Sequence, residues 1–273
     1  MSNYSISVGK PEQGCINEDA AIARKKMIAV SDGAGGGGLF AERWSSNLLE
    51  QLPFTPIHSA EELDAWIGDI WEMYYNKCEE DAKQLGGLSL DKFYDEGSFA
   101  TLVAVWQLSK YKFNWISFGD SVAFHYNYRT KTLEHSFGSI ADFDKPPFLI
   151  NCKDELRKEG FRHGIFNINR HSVVFAASDA LSHYIMMMYE IAHKDQFYRE
   201  LKQAEASHSK NENYLRMAMN MPEFDFEKDI LNKFLVIFKY KDRKIRFQQY
   251  ITNLIDKGLI AIDDYSLAMF RQN

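Results

Sequence analysis

Cysteine is scarce in this sequence, and its copies stand far apart. The chain has three, Cys15, Cys78 and Cys152, and none of them forms a CxxC pair. An odd and widely spaced set argues against a closed disulfide framework, so we expect free thiols, as in a reducing compartment. The histidines between residues 125 and 183 have no metal-ligand spacing either, which argues against a zinc site built from His and Cys.

Long apolar runs and an excess of basic residues are also missing. No apolar run approaches the ~20 residues that a membrane span needs. The first residues do not combine a basic start with an apolar core, so we expect no signal peptide, no membrane association and a cytoplasmic location. Lysine and arginine total 32 against 38 acidic residues, a net charge of -6, which gives no electrostatic footprint for a nucleic-acid partner.

What the sequence does contain is typical of a globular protein. Hydrophobic residues make up 45% and charged residues 26%, and a chain of 273 residues is long enough to bury a sizeable core. There is no internal repeat, low-complexity tract or linker. We therefore expect one domain over residues 1–273, while the oligomeric state is not determined by the sequence.

Helices are predicted where apolar residues recur at helical spacing. They cover about residues 39–51, 59–85 and most of 181–257, with residues 204–213 as an exposed loop. The second helix carries a stripe of Leu, Ile, Met and aromatic residues, and its spacing assigns this stripe to the core.

Strands are predicted where short apolar or alternating runs are separated by turn residues. They lie at residues 4–8, 20–31, 98–107, 111–118, 122–128, 132–137, 173–177 and 265–270. The four runs between 98 and 137 are typical of an antiparallel meander, whereas 138–170 is predicted to be irregular. Sheets covered by helices indicate an α+β layered sandwich.

Five short acidic motifs are the most informative feature of the chain. They are Asn17-Glu18-Asp19, Ser31-Asp32-Gly33, Gly119-Asp120-Ser121, Ser178-Asp179-Ala180 and Asp263-Asp264. Three of them sit beside strand-like runs, and a strand end gives a carboxylate rigid support next to solvent. Carboxylates gathered in this way repel one another unless cations fill the space between them.

Oxygen ligands of this kind suit Mg²⁺, Mn²⁺ or Ca²⁺. Asp32 is the best candidate to bridge two ions, and the Gly33 carbonyl follows it directly. Asp179 and Asp263 are natural terminal ligands, and Asp19 could bind directly or through a water. A metal-activated water at such a centre hydrolyses a phosphoester without a covalent enzyme intermediate.

Each motif alone has an ordinary explanation. Asp32-Gly33 is typical of a turn, Asp179 of a helix N-cap, and Gly119-Asp120 of a hairpin. The glycine-rich segment 33–38 lacks the Lys-Ser/Thr ending of a P-loop. The joint order and spacing of all five motifs favour a metal site over these separate explanations.

The set of motifs also resembles a known family. The residues that carry the resemblance are Asn17-Glu18-Asp19, Ala29-Val30-Ser31-Asp32-Gly33-Ala34-Gly35-Gly36, Gly97-Ser98-Phe99-Ala100-Thr101, Phe118-Gly119-Asp120-Ser121, Ala177-Ser178-Asp179 and Asp263-Asp264-Tyr265-Ser266. Their order is that of the metal-dependent serine/threonine phosphatases of type 2C, the PPM family. The resemblance extends from about Ser5 to Phe270.

The resemblance implies a fold and a set of roles. The fold is two antiparallel β-sheets packed as a sandwich with helices on both outer faces (αββα). Asp32 corresponds to the aspartate shared by two metals and Gly33 to the carbonyl ligand of the second. Asp179 and Asp263 correspond to the other ligands of the first metal, and Asp19 to the acid that holds a metal-bound water.

The family also suggests cofactors and partners. Asp120, together with Asp179, corresponds to a third and weaker metal position, so two or three Mn²⁺ or Mg²⁺ ions are implied. Residues 138–170 stand where the family carries a variable flap near its active site. The implied substrate is a phosphorylated protein, and a cognate serine/threonine kinase is the implied partner.

The chain departs from the family at positions that concern phosphate recognition. Many members have an Arg five residues before the first aspartate, where this chain has Gly14, and Lys10 or Arg24 are the candidate substitutes. Three more positions differ, with Ala180 for Gly, Val122 for Arg and Asp264 for Asn. Ala180 is harmless if it begins a helix and unfavourable if its backbone needs a positive φ.

Three functions stay open from the sequence. The first is an enzyme that hydrolyses phosphoserine and phosphothreonine in proteins. The second is a regulatory binding module that keeps the fold but has weak turnover, as Gly14 and Val122 suggest. The third is a metal-dependent nuclease or small-molecule phosphoesterase. His183 is a candidate general acid, although a lone His four residues after Asp179 is more typical of a polar helix position.

Overall fold

Two five-stranded antiparallel sheets carry the fold. The computed structural model describes residues 3–12, 14–206, 209–221 and 224–271. The first sheet has the order β1 (Tyr4–Val8), β12 (Tyr265–Met269), β11 (Ser172–Ala177), β7 (Val122–Asn127) and β8 (Thr132–His135). The second has the order β10 (Phe161–Asn167), β6 (Lys112–Phe118), β5 (Leu102–Ser109), β3 (Met27–Ser31) and β2 (Ala20–Arg24).

The two sheets pack face to face through a core of their own. Ile28 and Val30 of β3 belong to this inner core, whereas Met27 and Ala29 of the same strand belong to the core under the helices. Alternate side chains of a strand point to opposite faces, so β3 is buried on both sides. A short pair, β4 (Phe99–Ala100) and β9 (Ile150–Asn151), lies outside the two sheets.

Helices cover both outer faces. Over the second sheet lie α1 (Ala41–Gln51), α2 (Ala60–Leu85) and α3 (Gly87–Glu96). Over the first sheet lie α4 (Asp179–Ala192), α5 (Tyr198–Glu205), α6 (Lys210–Met219), α7 (Asn232–Lys239) and α8 (Arg243–Asp256). The expected α+β sandwich with helices on both faces is confirmed.

Local capping chemistry explains where α2 begins. The Ser59 hydroxyl accepts a hydrogen bond from the Glu62 N–H at 3.2 Å, as expected of a serine N-cap. Leu63 and Ile67 are buried as predicted. Trp71 and Met73 are 36% and 76% exposed, so the assignment of the whole stripe to the core was wrong for these two residues. No helix in the described parts of the chain is long and apolar enough to cross a membrane.

The predicted meander between residues 98 and 137 is wrong. β5 and β6 pair in the second sheet, but β7 and β8 pair in the first. The chain therefore passes from one sheet to the other between Phe118 and Val122, and Gly119-Asp120 is not a hairpin turn. Local sequence does not distinguish a hairpin from a crossover, because both begin with a tight turn at a strand end.

The segment 138–170 is less irregular than predicted. It contains β10, which pairs with β6 over seven residues from Phe161 to Asn167. Only Phe166 of this strand is buried, so its sequence has no apolar alternation to detect. Two short 3-10 helices, Ile140–Asp144 and Lys158–Gly160, lie in the same segment.

Other boundaries differ for similar reasons. Residues 20–31 form two strands with a turn at residues 25–26 rather than one. α3 was not predicted, because Phe93 is its single buried side chain and gives no helical period. In the predicted loop 204–213, α5 continues to Glu205 and α6 begins at Lys210, while residues 207 and 208 lie outside the described part of the chain.

Candidate functional site

The pairing of β2 with β3 brings two of the predicted carboxylates together. Ala20, the first residue of β2, lies opposite Ser31, the last residue of β3. Asp19 precedes the one and Asp32 follows the other, so both leave the second sheet at the same end. The N–H of Gly33 then donates to the Glu18 carbonyl at 3.2 Å, which extends this pairing past the strands.

In the first sheet, the pairing of β11 with β12 likewise brings Asp179 and Asp263 to the same end. Ala177 at the end of β11 lies opposite Leu267 of β12, and the Ser178 N–H donates to the Ser266 carbonyl at 3.1 Å. Asp179 follows β11 as the first residue of α4, and Asp263 lies two residues before β12. Antiparallel register thus places the end of one strand beside the start of the other.

The turn that carries Asp120 is tied to Asp32 through a hydroxyl pair. The Asp32 N–H donates to Thr101 Oγ1 at 3.2 Å, and the Thr101 N–H donates to the Asp32 carbonyl at 2.8 Å. Thr101 Oγ1 and Ser121 Oγ are 2.7 Å apart. Gly119 has φ +96°, and a Cβ there would lie 2.7 Å from Thr101 Cγ2, so glycine is required at this crossover.

Gly33 is required by close packing of the protein on itself. A Cβ at this position would lie 2.6 Å from the Glu18 carbonyl oxygen and 2.8 Å from that of Ala41. The sequence suggested that the glycine segment lets backbone approach a ligand. At Gly33 it is the chain's own backbone that comes close, which fixes the residue after Asp32 against the start of β2 and of α1.

The carboxylates of Asp19, Asp32, Asp120, Asp179 and Asp263, called here the carboxylate cluster, lie within electrostatic reach of one another. Burial, followed by the charge of Asp179, raises the pKa of Asp19 well above its usual value. Burial, followed by the charge of Asp19, does the same to the pKa of Asp32. Both shifts follow from burial and from the mutual repulsion of neighbouring carboxylates.

The other three members show smaller shifts. Burial raises the pKa of Asp179 to about 6, helped by the charge of Asp120 and opposed by a hydrogen bond shared with Asp32. Burial and the charge of Asp179 raise the pKa of Asp263 to about 6. Burial raises the pKa of Asp120 to about 6, and the Arg162 charge opposes it. Each of these three residues is partly buried.

Asp19 is the member that most needs a further partner. It is 6% exposed, and neither of its carboxylate oxygens makes a hydrogen bond. The neighbouring hydroxyl of Ser178 opposes the rise in the pKa of Asp19, but it does not reach hydrogen-bond geometry with either oxygen. A buried and unpaired carboxylate is costly unless a proton or a cation neutralises it.

The side chains as they stand do not form a finished metal site. Among the described residues, no group of three or more His, Cys, Asp or Glu side chains is placed so that it could hold a metal ion. The donor set nevertheless consists of hard oxygens that repel one another, with a buried and unpartnered pair on Asp19. This chemistry fits a hard divalent cation better than any other ligand class.

Two positively charged side chains lie at the edge of the cluster. Arg162 of β10 donates to the Gly119 carbonyl and stacks on the Phe137 ring at 4.7 Å. Lys10 follows β1, and its backbone N–H donates to Asp264 Oδ1 at 2.8 Å. Arg24 lies elsewhere, with its guanidinium donating to carbonyls at the end of α1.

Several departures from the family pattern have structural explanations. Ala180 is the second residue of α4 and has no positive φ, so alanine is harmless there. Val122 is fully buried in the core below the first sheet's helices. Gly14 is exposed and has φ +85°, a backbone conformation that favours glycine although a Cβ would meet nothing within 4 Å. Burial lowers the pKa of His183 to about 4, and its ring packs on Phe143, which favours the structural role over that of a general acid.

Solved structures with the same architecture include bacterial phosphatases. A bacterial serine phosphatase matches with a TM-score of 0.54 and 14% identity over 99% of this chain and 98% of that one. The chain has the fold of bacterial serine/threonine phosphatases. The serine/threonine phosphatase Stp1 of Staphylococcus aureus matches with a TM-score of 0.53 and 14% identity over 99% and 95% of the two chains.

A third structure with this phosphatase fold contains metal. It is the catalytic domain of the serine/threonine phosphatase PstP in complex with two manganese ions, with a TM-score of 0.52 and 13% identity over 98% and 97% of the two chains. No protein-family model matches the chain, and no curated protein is similar enough in sequence to match. The fold expected from the type 2C resemblance is thus confirmed by structure, at sequence identities that establish the fold alone.

Sequence reasoning missed three residues that organise this site. Thr101 lay in a quoted motif but had no role assigned, although its hydroxyl joins Asp32 to the Asp120 turn. Asp264 lay in a quoted acidic motif and was noted as a departure from Asn, but had no role assigned, although its carboxylate accepts hydrogen bonds from two backbone N–H groups. Arg162 could not be found at all, because β10 has no apolar pattern that would bring it beside β6.

Proposed function

We propose that this chain hydrolyses phosphoserine and phosphothreonine in proteins, with two or three Mn²⁺ or Mg²⁺ ions bound at the carboxylate cluster. The observation that supports this most is the buried, unpartnered carboxylate of Asp19 within a group of acids drawn from five separate parts of the chain. The phosphatase fold and the two manganese ions of PstP support it further. A cytoplasmic phosphoprotein and its kinase are the partners we infer.

The residues of the cluster would have different roles. Asp32, the Gly33 carbonyl, Asp179 and Asp263 would hold the ions, and Asp19 would hold water beside them. Asp120 would complete a weaker third position with Asp179. Bound divalent ions lower the pKa of water and neutralise the charge of an attacked phosphate.

The supporting residues would act by orientation. Thr101 accepts a hydrogen bond from the Asp32 N–H and donates one to the Asp32 carbonyl. The backbone that carries the Asp32 carboxylate is therefore held in place. The Ser121 hydroxyl connects Thr101 to the Asp120 turn. A change at either hydroxyl would loosen two members of the cluster at once. The segment 138–170, which contributes Arg162 beside Asp120, would help to select substrates.

The test is hydrolysis of an aryl phosphate and of a phosphothreonine peptide with Mn²⁺ and then with a chelator. We expect turnover only with metal, and a loss of about 10³-fold in Asp32→Asn, the size seen when a central electrostatic group is removed. Asp91→Asn on α3 is the matched control, since that residue is exposed and its helix contributes no member of the cluster. Turnover that survives chelation, or an unaffected Asp32→Asn variant, would reject the proposal.

A second candidate is a regulatory binding module with weak turnover. Two observations favour it, namely the exposed Gly14 without a side chain and the absence, among described residues, of three acids already placed to hold a metal. Normal metal affinity by calorimetry, with no turnover of several phosphopeptides, would select this candidate. Turnover of aryl phosphate without turnover of phosphopeptides would instead indicate a small-molecule phosphoesterase.

A further inference from the structure

The carboxylate cluster poses a charge problem for its own substrate. A phosphate monoester is an anion, and the cluster together with Glu18 and Asp264 surrounds the site with negative charge. Metal ions would offset part of that charge, but a substrate anion at the rim still needs a positive side chain. The proposal below rests on the proposed function and asks which side chain that is.

Two of the three candidate cations are already engaged. Arg24 donates to the carbonyls of Leu49, Glu50 and Leu52 at 2.8–3.0 Å, so its guanidinium caps the end of α1. Arg162 donates to the Gly119 carbonyl, and the ring of Phe137 covers one face of its guanidinium. The guanidinium of Arg24 therefore keeps few free donors, whereas that of Arg162 is held in place by the Gly119 carbonyl and the Phe137 ring.

Unlike the guanidinium groups of Arg24 and Arg162, the ammonium of Lys10 is not held by other residues that the structure describes. Within the described parts of the chain, the Lys10 ammonium forms no ion pair, and the residue is partly buried. Burial alone would lower the pKa of Lys10, but the charges of Asp264, Asp263 and Glu18 raise it. The ammonium is therefore charged, close to the cluster and not engaged.

The backbone of Lys10 is held more firmly than its side chain. Asp264 Oδ1 accepts the N–H of Lys10 at 2.8 Å, and Oδ2 accepts the N–H of Glu18 at 2.6 Å. Asp264 is 3% exposed. One carboxylate thus closes both ends of the loop between β1 and β2, directly beside Asp19. An asparagine has a single acceptor oxygen and could satisfy only one of these two donors.

We propose that Lys10 binds the phosphate group of the substrate at the rim of the carboxylate cluster, with Asp264 as the positioning residue that fixes its backbone. A lysine is a compact point charge with three donors on a flexible stem, which suits a phosphate that arrives from solvent.

The kinetic test compares three variants on aryl phosphate with Mn²⁺. For Lys10→Gln we expect the KM and the inhibition constant of inorganic phosphate to rise about tenfold or more, the size of a charge-assisted hydrogen bond, with kcat changing much less. Lys10→Arg should restore most of the affinity. Lys25→Gln is the charge-matched control, because Lys25 lies in the β2–β3 turn at the far end of the strands from Asp19 and Asp32.

Asp264→Asn tests the positioning role. One of the two backbone donors loses its acceptor, so we expect KM to rise about fivefold while the Lys10 side chain remains present. If this variant unfolds in urea at the wild-type midpoint and also keeps the wild-type KM, Asp264 does not position Lys10.

A second readout does not depend on turnover. The manganese-loaded protein is treated with an amine-acetylating reagent with and without inorganic phosphate, and modification of each lysine is followed by mass spectrometry. We expect phosphate to protect Lys10 several-fold and to leave Lys25 unchanged. Equal labelling of Lys10 in both conditions would overturn the proposal.

The outcomes separate this inference from the proposed function. An active wild type with unchanged KM and phosphate inhibition in Lys10→Gln would reject the role of Lys10 and leave the phosphatase proposal standing. An inactive wild type would reject the phosphatase proposal. The labelling result would then decide whether Lys10 binds phosphate.

Discussion

The centre of the candidate site and its rim are built in different ways. At the centre, the strand ends and the backbone around Asp32 and Gly33 are fixed by pairing with residues 18, 99 and 101. At the rim, single side chains hold the loops, with Asp264 holding the loop of Lys10 and Arg162 holding the Gly119 turn. The centre therefore tolerates little change, whereas the rim allows residues to be exchanged.

The largest effect is expected from a change that breaks the centre. In Gly33→Ala the added methyl group meets two backbone carbonyl oxygens that cannot move independently. We expect a loss of about 3 kcal/mol in the free energy of unfolding, because overpacked sites cost about this much. Urea unfolding measures it, and Gly68→Ala on α2, where a Cβ meets nothing, is the control that should be stable. Equal stability of both variants would contradict the close packing at Gly33.

A second change should make the centre more stable but less able to bind metal. Asp19→Asn removes a buried carboxylate that has no partner. We expect the metal-free protein to gain about 2 kcal/mol, since an unpaired buried charge costs several. The thermal stabilisation by Mn²⁺ should fall at the same time. Melting curves with chelator and with Mn²⁺ test both parts, and a variant that is less stable without metal would contradict the interpretation of Asp19.

Glu190 is a buried acid outside the site, and its replacement by the amide can be compared with that of Asp19. Burial and the charge of Glu200 raise its pKa to about 8. Because the folded state holds this proton more tightly than the unfolded state, its stabilisation is complete below pH ~4.5 and is lost as the pH rises toward 8. We expect Glu190→Gln to be more stable than wild type by about 2 kcal/mol at pH 8.5, with little difference at pH 4.5.

Urea midpoints at three pH values check this prediction. Glu155→Gln, an exposed acid, serves as the control and should leave the slope unchanged. A wild-type stability that does not fall between pH 5 and 8 would show that Glu190 keeps an ordinary pKa.

The smallest effect is expected from a change at Arg162, and it distinguishes the role of Arg162 from that of Lys10. Arg162→Gln removes a hydrogen bond to the Gly119 carbonyl and a ring contact, so we expect a loss of about 1 kcal/mol in stability. The inhibition constant of inorganic phosphate should change by less than about twofold. A tenfold weaker inhibition by phosphate would instead show that Arg162 binds the anion and would remove the distinction between the two cations.

Much of the centre could be predicted from the sequence, because its signals are local. Asp32 and Asp179 follow buried apolar runs, and a strand end is visible in such a pattern. The rim could not be predicted in this way. Arg162 lies on an edge strand with a single buried side chain, and Asp264 acts on residues that precede it by about 250 positions.

The crossover at Gly119-Asp120 belongs to the centre, yet it also could not be predicted from the local sequence. Its residues are those of a hairpin, and only the pairing of β7 with β11 in the other sheet distinguishes the two. Asp120 consequently reaches the other carboxylates from the gap between the sheets rather than from a hairpin tip.

The sequence by itself determined the layered α+β class, the strand-end carboxylates and the glycine beside Asp32, because alternation, helical period and turn chemistry act between neighbours in the chain. Only the tertiary structure decided which strands share a sheet, that Asp19 is buried without a partner, and that Lys10 rather than Arg24 has an ammonium or guanidinium left free. Those properties depend on contacts between residues far apart in the chain, and no local pattern encodes them.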